Sequence, residues 1–374
     1  NSILFGCDRA SVSETYPAWC TPDVQGFEGL QDLISARKKT LYANLTYVIV
    51  VGDDRVIPFA RLFDETSGNA SEHRYTEGAT PDLTLATTVG RALGANRFLS
   101  DDPLLTDAVI RPDDVSGLFR PDFAGGRLVE NADEIIKTIS TFMGQDGVMD
   151  LTAEPAGHRV LVTGYDFMLA GAKGIRSKWE SVPGVGPVGQ TLLGESWGDA
   201  LLRLGLQGNG SGRYAVMSLN GHASHFLEGV PAAGAVAGLN ALDINGADRC
   251  STTSPNPLNA NFDGALVYSM GCHGGLVVPG SCSATSDHSL DLPQAFLARG
   301  AAVYLGNTGY GYGDWGVVAY SMLLSDLFTQ RLVGAQSIAI GDAVRLTKSE
   351  SYLKDRGGIS DPSKPGRISG LDAY

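Results

Sequence analysis

Short apolar runs alternate with amphipathic stretches along most of the chain. Each apolar run has the length and the β-branched content of a strand, and most follow a stretch whose apolar positions recur at helical spacing. This alternation is typical of a parallel sheet that helices cover on both faces. The predicted helix and strand pairs are 31–44 with 46–51, 131–143 with 159–163, 200–206 with 214–219, and 292–299 with 301–305. A further strand is predicted at 264–270, and the last two helices at 317–331 and 337–349.

The predicted strands end in turns that contain glycine. These glycines are Gly52, Gly164, Gly221, Gly271 and Gly306. The carboxyl ends of parallel strands share one edge of an open sheet, and ligands bind at that edge. His222 and Cys272 each directly follow one of these glycines. We therefore expect the two side chains on the same rim.

The chain divides into two units at a segment rich in turn-forming residues. Residues 63–119 contain many Gly, Asp, Thr and Pro residues and predict a loop-rich connection. A length of 374 residues allows two domains. We expect an N-terminal α/β subdomain with long connecting loops at 1–118 and a larger α/β domain at 119–374.

Composition and charge exclude several classes of protein. Hydrophobic residues make up 43% of the chain and charged residues 18%, which excludes collagen, coiled coils and charge-driven disorder. The net charge of −13 would repel nucleic acid backbones, so a nucleic acid partner is not expected. No apolar run approaches the roughly 20 residues that span a bilayer, so no membrane span is expected.

The start of the chain and its cysteines bear on where the protein acts. The chain begins at Asn1 with no basic and apolar leader, which we interpret as a mature or trimmed sequence. Five cysteines are too few for a disulfide scaffold. Two disulfides are conceivable, Cys7 with Cys20 and Cys250 with Cys282, and reduced thiols are an equal alternative. Cys272 is the expected odd thiol.

His222 and Cys272 are candidates for nucleophilic catalysis. A cysteine peptidase needs an imidazole that takes the thiol proton and later protonates the leaving amine. The two residues are 50 positions apart, and caspases have a similar His-to-Cys separation of about 50 residues. The backbone N–H groups of Ala223 and Cys272 are the expected oxyanion donors. A cysteine at a strand end is more often structural, so the histidine at this spacing carries the hypothesis.

Several segments resemble the gingipain family of cysteine peptidases. Residues 47–58 are similar to the family's strand-Gly-Asp-x-x-x-Ile-Pro turn, and residues 121–128 to its strand-Gly-Arg-helix block. Asn220-Gly-His222 and Met270-Gly-Cys272 lie where the family keeps its catalytic residues, and 301–315 looks like its aromatic loop. The resemblance implies a caspase-like three-layer sandwich with a mostly parallel sheet, preceded by the smaller α/β subdomain.

The same resemblance implies a function. It implies a secreted or cell-surface endopeptidase, a monomer that acts on protein or peptide substrates, with His222 as general base and acid and Cys272 as nucleophile. No metal or cofactor is expected in catalysis. The implied substrate-binding residues are Asn220, Met270, Tyr310, Tyr312 and Trp315, although packing explains the three aromatic residues equally well.

Two departures from the family pattern affect these expectations. Ala223 stands where the family usually has glycine, so the oxyanion N–H is retained in a stiffer loop. The acidic residue that binds arginine in some members has no clear counterpart, because Asp113, Asp114 and Asp122 only neighbour that region. The preferred side chain therefore stays open, with a lean toward a basic one.

Three alternatives remain open at this stage. The chain can be a catalytically inactive caspase-like module for binding or adhesion, because a fold does not determine a function. A zinc site can form from His222, His225, His273 and His288. Structural calcium is possible at loop carboxylates, although most of these are expected to cap helices and form turns. The candidate carboxylates are Asp53, Asp54, Asp101, Asp102 and Asp166.

Overall fold

The computed structural model of the protein describes most of residues 24–358. The described range has gaps at 65, 67–70, 78–82, 84–86, 107–108, 111–117, 152–153, 156–158, 186–187, 189–191, 209–212, 232–237, 249, 251, 281–289, 316 and 336. Cys7, Cys20, Cys282, Asp113, Asp114 and His288 lie outside the described residues.

Helices and strands alternate through the described chain. The strands are β1 (Tyr47–Val51), β2 (Ala60–Phe63), β3 (Arg97–Ser100), β4 (Val109–Ile110), β5 (Leu118–Phe119), β6 (Ala124–Leu128), β7 (Val160–Gly164), β8 (Leu192–Leu193), β9 (Val216–Leu219), β10 (Ala223–Ser224), β11 (Leu227–Gly229), β12 (Gly238–Asn240), β13 (Leu266–Ser269) and β14 (Val303–Leu305). The helices are α1 (Val24–Thr40), α2 (Glu72–Glu77), α3 (Thr88–Gly94), α4 (Ala132–Gly144), α5 (Leu169–Glu180), α6 (Asp199–Leu206), α7 (Ala241–Asn245), α8 (Leu292–Ala298), α9 (Ser321–Gly334) and α10 (Ile340–Gly358).

A five-stranded parallel sheet forms the centre of the larger unit. Its strand order is β14-β13-β9-β7-β8, and every neighbouring pair is parallel. Successive side chains of a strand point to opposite faces. In β7, Leu161 therefore packs into one core with α6 and α8, while Val160 and Val162 pack into another with α5 and α9. The sheet is thus the middle of three layers.

The first predicted strand is not part of this central sheet. β1 pairs only with β6 among the described strands, in a separate parallel sheet of two strands. α10 packs against this pair, and Tyr47 of β1 donates a hydrogen bond to Asp342 of α10. The pairing joins residues on both sides of the boundary expected at 118, and that boundary stays a prediction.

The described part of the segment 63–119 contains more helix and strand than its composition predicted. It contains α2, α3 and most of the antiparallel pair β2–β3. These elements are short and only weakly periodic, so the sequence pattern did not reveal them. They form because Phe59, Val89 and Leu99 pack with Leu276 and Val278 of the larger unit in one apolar cluster. Tertiary burial stabilises elements that local propensity does not specify.

Most other predicted elements are present with shifted ends. α9 begins at Ser321 instead of 317, because Asp314 and Val317 form a β-bridge and Tyr320 has a left-handed backbone. α1 begins at Val24, seven residues earlier than predicted. No helix in the described part of the chain is long and apolar enough to cross a bilayer.

Candidate active site

Two adjacent strands carry His222 and Cys272 to the same edge of the sheet. β9 and β13 are parallel neighbours, and Leu219 pairs with Ser269 at their carboxyl ends. His222 lies three residues after Leu219, and Cys272 lies three residues after Ser269. The two candidate residues thus leave the sheet at equivalent points of adjacent strands, as the sequence predicted for this rim.

The loops after these strands pack against each other without intervening side chains. A Cβ atom on Gly271 would overlap the Cβ of Ala223 and would lie 2.9 Å from the carbonyl oxygen of Gly221. Only glycine leaves room for this approach. The loop that carries Cys272 is therefore held directly against the loop that carries His222.

His222 has a carboxylate partner. Its side chain is half exposed, and its Nε2 lies 2.9 Å from Oδ2 of Asp166, which follows β7. Asp166 has a left-handed backbone with φ of 56°, and its N–H donates to Oε1 of Glu195, which follows β8. The ends of four neighbouring strands thus carry, in order, a thiol, an imidazole and two carboxylates.

Aromatic rings fix the orientation of the His222 imidazole. The rings of Tyr165 and Phe167 both meet it edge-on, with centroid distances of 5.6 and 5.5 Å. The hydroxyl of Tyr165 accepts a hydrogen bond from the backbone N–H of His222 at 3.1 Å. Burial raises the pKa of Tyr165, so this hydroxyl stays neutral.

Cys272 is a free cysteine that is partly accessible to solvent. Its Sγ lies 3.5 Å from the carbonyl oxygen of Gly311. Burial of the sulfur, together with the negative charge of Glu72, raises the pKa of the Cys272 thiol to about 11. The thiol is therefore protonated at neutral pH, and it can act as a nucleophile only if a base removes its proton during attack.

The strand pairing of Ala223 fixes the direction of its backbone N–H relative to β11. β10 and β11 are antiparallel, and Ala223 pairs with Glu228. Gly229 donates a hydrogen bond to the carbonyl of His222, so 222 and 229 occupy the position of a hydrogen-bonded pair, although the N–H of His222 donates to Tyr165 instead. Such pairs alternate with non-hydrogen-bonded ones, so the N–H of Ala223 points away from β11. This orientation fits the oxyanion role predicted for Ala223 together with Cys272.

Two of the predicted substrate-binding side chains are buried in the core. The amide of Asn220 donates to the carbonyl oxygens of Thr163 and Ser218, and Asn220 has no exposed surface. Met270 is 1% exposed and packs in the core that the sheet forms with α5 and α9. These side chains support the strand ends and do not reach the solvent side of the rim.

The three predicted aromatic residues have different surroundings. Trp315 is 74% exposed, and its ring stands edge-on to Phe167 at 6.4 Å, next to His222. Tyr310 and Tyr312 are partly buried. The hydroxyl of Tyr312 donates to Thr66 at 3.3 Å, and burial raises the pKa of Tyr310 to about 12. Of the three, Trp315 is the most exposed to solvent.

The histidines considered for zinc have separate partners. His222 contacts Asp166, whereas His273 lies 2.8 Å from Glu72. Nδ1 of His225 lies 2.7 Å from the hydroxyl of Tyr75. The described residues contain no group of three or more His, Cys, Asp or Glu side chains arranged to hold a metal ion.

The carboxylates considered for calcium contact basic side chains. Their partners are Arg55 for Asp53, Arg61 for Asp54, Arg127 for Asp101, Lys348 for Asp102 and His222 for Asp166. Cys250 forms a disulfide bond. Its predicted pairing with Cys282 stays a prediction, because Cys282 lies outside the described residues.

Sequence reasoning did not identify Asp166 as a partner of His222 or Glu195 as a member of this rim. The sequence pattern presents Asp166 only as one of several carboxylates that could bind calcium. Glu195 follows β8, a strand of two residues that carries no periodic signal. A test for acidic residues immediately after each predicted strand would have found Asp166, but the position of Glu195 depends on the sheet order.

The fold is similar to that of solved cysteine proteinase structures. The Arg-specific cysteine proteinase gingipain R (RgpB) matches with a TM-score of 0.56 and 12% identity over 93% of this chain and 66% of that one. The complex of Porphyromonas gingivalis RgpB pro- and mature domains matches with a TM-score of 0.57 and 12% identity over 93% of this chain and 67% of that one. A structure described as a protease matches with a TM-score of 0.51 and 12% identity over 93% of this chain and 67% of that one.

These likenesses establish the fold. The predicted gingipain-like, caspase-like α/β architecture is confirmed, and the chain spans about two thirds of the length of the structures it matches. No family model matches the sequence, and no curated protein matches it. The chemistry must therefore be argued from the residues at the rim.

Proposed function

We propose that the protein is a cysteine endopeptidase in which Cys272 is the nucleophile and His222 the general base and acid. The observation that carries this proposal is the position of both residues three places beyond a paired point on adjacent parallel strands. An imidazole and a thiol at this rim have the residue types that acyl transfer needs. The fold, which cysteine proteinases also have, supports the same conclusion.

The mechanism begins with proton transfer. Nε2 of His222 faces Asp166, so Nδ1 is the nitrogen that takes the proton of the Cys272 thiol. The sulfur attacks the carbonyl carbon of the peptide bond, and the N–H groups of Ala223 and Cys272 stabilise the oxyanion. Asp166 stabilises the imidazolium through the 2.9 Å contact.

The second half of the reaction regenerates the enzyme. The imidazolium protonates the leaving amine, and the C–N bond breaks to give a thioester on Cys272. A water molecule then attacks the thioester carbon while His222 takes its proton. The carboxylic acid product leaves, and the proton returns to the sulfur. This cycle requires no metal or cofactor.

The surroundings of the site support peptides as substrates. The exposed Trp315 ring and the Phe167 ring form an aromatic edge beside His222, and such an edge suits the side chain or backbone of an extended peptide. The disulfide at Cys250 supports action in an oxidising compartment, outside the cell or at its surface.

Peptide hydrolysis by matched variants tests the proposal. Cys272→Ala is expected to abolish cleavage of a mixed peptide library, and His222→Ala to reduce it by about a thousandfold or more, because both act in the same proton transfer. Asp166→Asn should reduce kcat by about tenfold or more with little change in KM. Mass spectrometry of the products measures all three effects. Cleavage that survives in the Cys272→Ala variant would exclude Cys272 as the nucleophile.

A non-catalytic binding or adhesion module is the second candidate. The high pKa of the Cys272 thiol favours it, because reactive cysteines commonly have depressed values. A peptide carrying an electrophile discriminates between the two. Labelling of Cys272 in the folded protein supports the peptidase, whereas an unlabelled Cys272 with intact folding supports the module.

A further inference from the structure

Two residues of the short helix α2 contact the loops that carry the catalytic pair. Glu72 and Tyr75 are three positions apart and therefore lie on the same side of the helix. Together with His225, His273 and Tyr310 they form a polar cluster, named here the α2 cluster. Glu72, His225 and His273 are buried, with at most 3% of their surface exposed.

Glu72 joins the Cys272 loop to the loop after β14. Its Oε2 lies 2.8 Å from Nε2 of His273, the residue that follows Cys272. Its Oε1 accepts a hydrogen bond from the backbone N–H of Tyr310 at 3.0 Å. A Cβ atom on Gly309 would overlap this carboxylate, so the second loop is packed directly on Glu72. One carboxylate thus fixes the position of two loops.

Tyr75 joins the Cys272 loop to the His222 loop. Its ring stacks on the His273 imidazole with a centroid distance of 3.5 Å and an interplanar angle of 2°. Its hydroxyl accepts a hydrogen bond from the backbone N–H of His225 at 3.0 Å and lies 2.7 Å from Nδ1 of the same residue. His225 is three residues after His222.

The backbone beside the nucleophile needs this support. His273 has φ of 54°, a left-handed conformation that is unfavourable for a residue with a side chain. A left-handed residue next to Cys272 persists because the ring is held by Glu72 and Tyr75 and the N–H donates to the carbonyl of Gly309. A buried carboxyl group needs hydrogen-bond partners, and His273 and the N–H of Tyr310 are the partners of Glu72.

We propose that Glu72 and Tyr75 are positioning residues that set the distance and orientation between the Cys272 and His222 loops. Neither touches the reacting atoms, and both act through His273 and His225. The inference rests on the proposed function, because it assigns α2 a part in the same proton transfer. It also makes the N-terminal part of the chain a requirement for the activity of the rim.

Two variants separate the contacts of Glu72 from the contacts of Tyr75. Glu72→Ala removes the acceptor of His273 and Tyr310, so we expect kcat for peptide hydrolysis to fall by about tenfold or more while KM changes less than about threefold. Alkylation of Cys272 by iodoacetamide should be about threefold or more faster in Glu72→Ala than in Glu72→Gln, because both lack the charge that raises the pKa of the thiol and only the alanine loosens the loop. Tyr75→Phe keeps the stacked ring and loses the contacts with His225. It should lower kcat and leave the alkylation rate near that of the wild type.

Controls exclude a general loss of structure. Glu77→Ala changes an exposed carboxylate on the same helix and should leave both rates unchanged. Glu72→Gln keeps an oxygen for the N–H of Tyr310 and should recover part of the kcat that Glu72→Ala loses. Thermal unfolding measures the folded fraction of each variant. A kcat loss that disappears after correction for that fraction, or hydrolysis and alkylation rates within about twofold of the wild type, would overturn the proposal.

The alkylation arm keeps the two proposals distinguishable. If the wild-type protein cleaves no peptide, the proposed function fails, yet faster alkylation of Cys272 in Glu72→Ala than in the equally uncharged Glu72→Gln still supports the positioning of the loop. If the wild type cleaves peptides and Glu72→Ala behaves like Glu77→Ala, the proposed function stands and the role of the α2 cluster is wrong. Mass spectrometry of the peptide that contains Cys272 reads the alkylation directly.

Discussion

Burial and local charge decide the state of each carboxylate. Glu228 is 2% exposed, and its Oε2 has no hydrogen-bond partner in the described part of the protein. Burial raises the pKa of its carboxyl to about 8. Burial also acts on Asp54, but Arg61 and Thr88 outweigh it and lower the pKa of that carboxyl. At neutral pH the buried carboxyl of Glu228 is therefore mostly protonated and neutral, whereas the buried carboxyl of Asp54 is ionised.

Glu228 makes stability depend on pH. Its carboxyl titrates near 4.5 in the unfolded chain and near 8 in the folded protein. Between these values the folded protein holds a proton that the unfolded chain has lost, so the free energy of unfolding falls as the pH rises from about 4.5 to about 8. We expect Glu228→Gln to remove this decrease, an effect on the order of a few kcal/mol at pH 8.

Urea unfolding at pH 5, 6.5 and 8 measures this effect. The advantage of Glu228→Gln over the wild type should grow with each step in pH. Glu180→Gln, at a partly exposed carboxylate paired with Arg176, serves as the control and should show no such trend. A difference between Glu228→Gln and the wild type that stays constant with pH would show that Glu228 is not held protonated.

At the scale of elements, the site depends on how two strand ends pack. β9 and β13 are adjacent, and their loops touch at Gly271 and Ala223. The sheet itself tolerates little displacement, because both faces are covered by buried cores. Added volume at the contact of the two loops must therefore be accommodated by the loops, and this movement would separate Cys272 from His222.

Gly271→Ala tests this packing. The new methyl group would overlap Ala223, so we expect a stability loss of about 1–3 kcal/mol and a fall in kcat of about tenfold or more. Gly126→Ala in β6 is the matched control, because a Cβ atom there meets no atom within 4 Å. Adding Ala223→Gly to Gly271→Ala should recover part of the loss. No recovery in this double variant would mean that the overlap with Ala223 is not the cause.

At the scale of the whole molecule, a buried ion pair connects the N-terminal region to the C-terminal helix. Nζ of Lys348 in α10 lies 2.5 Å from Oδ1 of Asp102, and both side chains are at most 8% exposed. Arg127 of β6 pairs with Asp101, the neighbour of Asp102, at 2.6 Å. Removal of one member of a buried pair leaves the other charge without compensation.

Lys348→Met is expected to lower the free energy of unfolding by about 3–5 kcal/mol, because Asp102 stays buried without its cation. Arg345→Met changes a partly exposed pair with Asp342 on the same helix and should cost about 1 kcal/mol or less. Denaturant unfolding compares the two. Combining Lys348→Met with Asp102→Asn should recover most of the loss, and equal costs for Lys348→Met and Arg345→Met would contradict this account.

The pattern along the chain predicted β7, β9, β13 and β14 of the central sheet and the rim, because a buried parallel strand is a run of apolar residues followed by a glycine turn. It did not predict the two-residue strand β8. The position of β1 outside the central sheet and the order of α2 and α3 were not predictable this way. α2 has six residues, among them Glu72, and its sequence carries no apolar periodicity. It is placed by contacts with His273 and Tyr310, about 200 residues later in the chain.

The sequence by itself determined that His222 and Cys272 each follow an apolar strand and a glycine turn, since these are local properties of the chain. Only the tertiary structure decided which strands are neighbours and therefore which groups meet. Asp166 reaches His222 because β7 adjoins β9, and Glu72 reaches His273 because α2 packs beneath the loop. Such long-range contacts depend on the burial of surfaces from distant segments, which the local pattern does not encode.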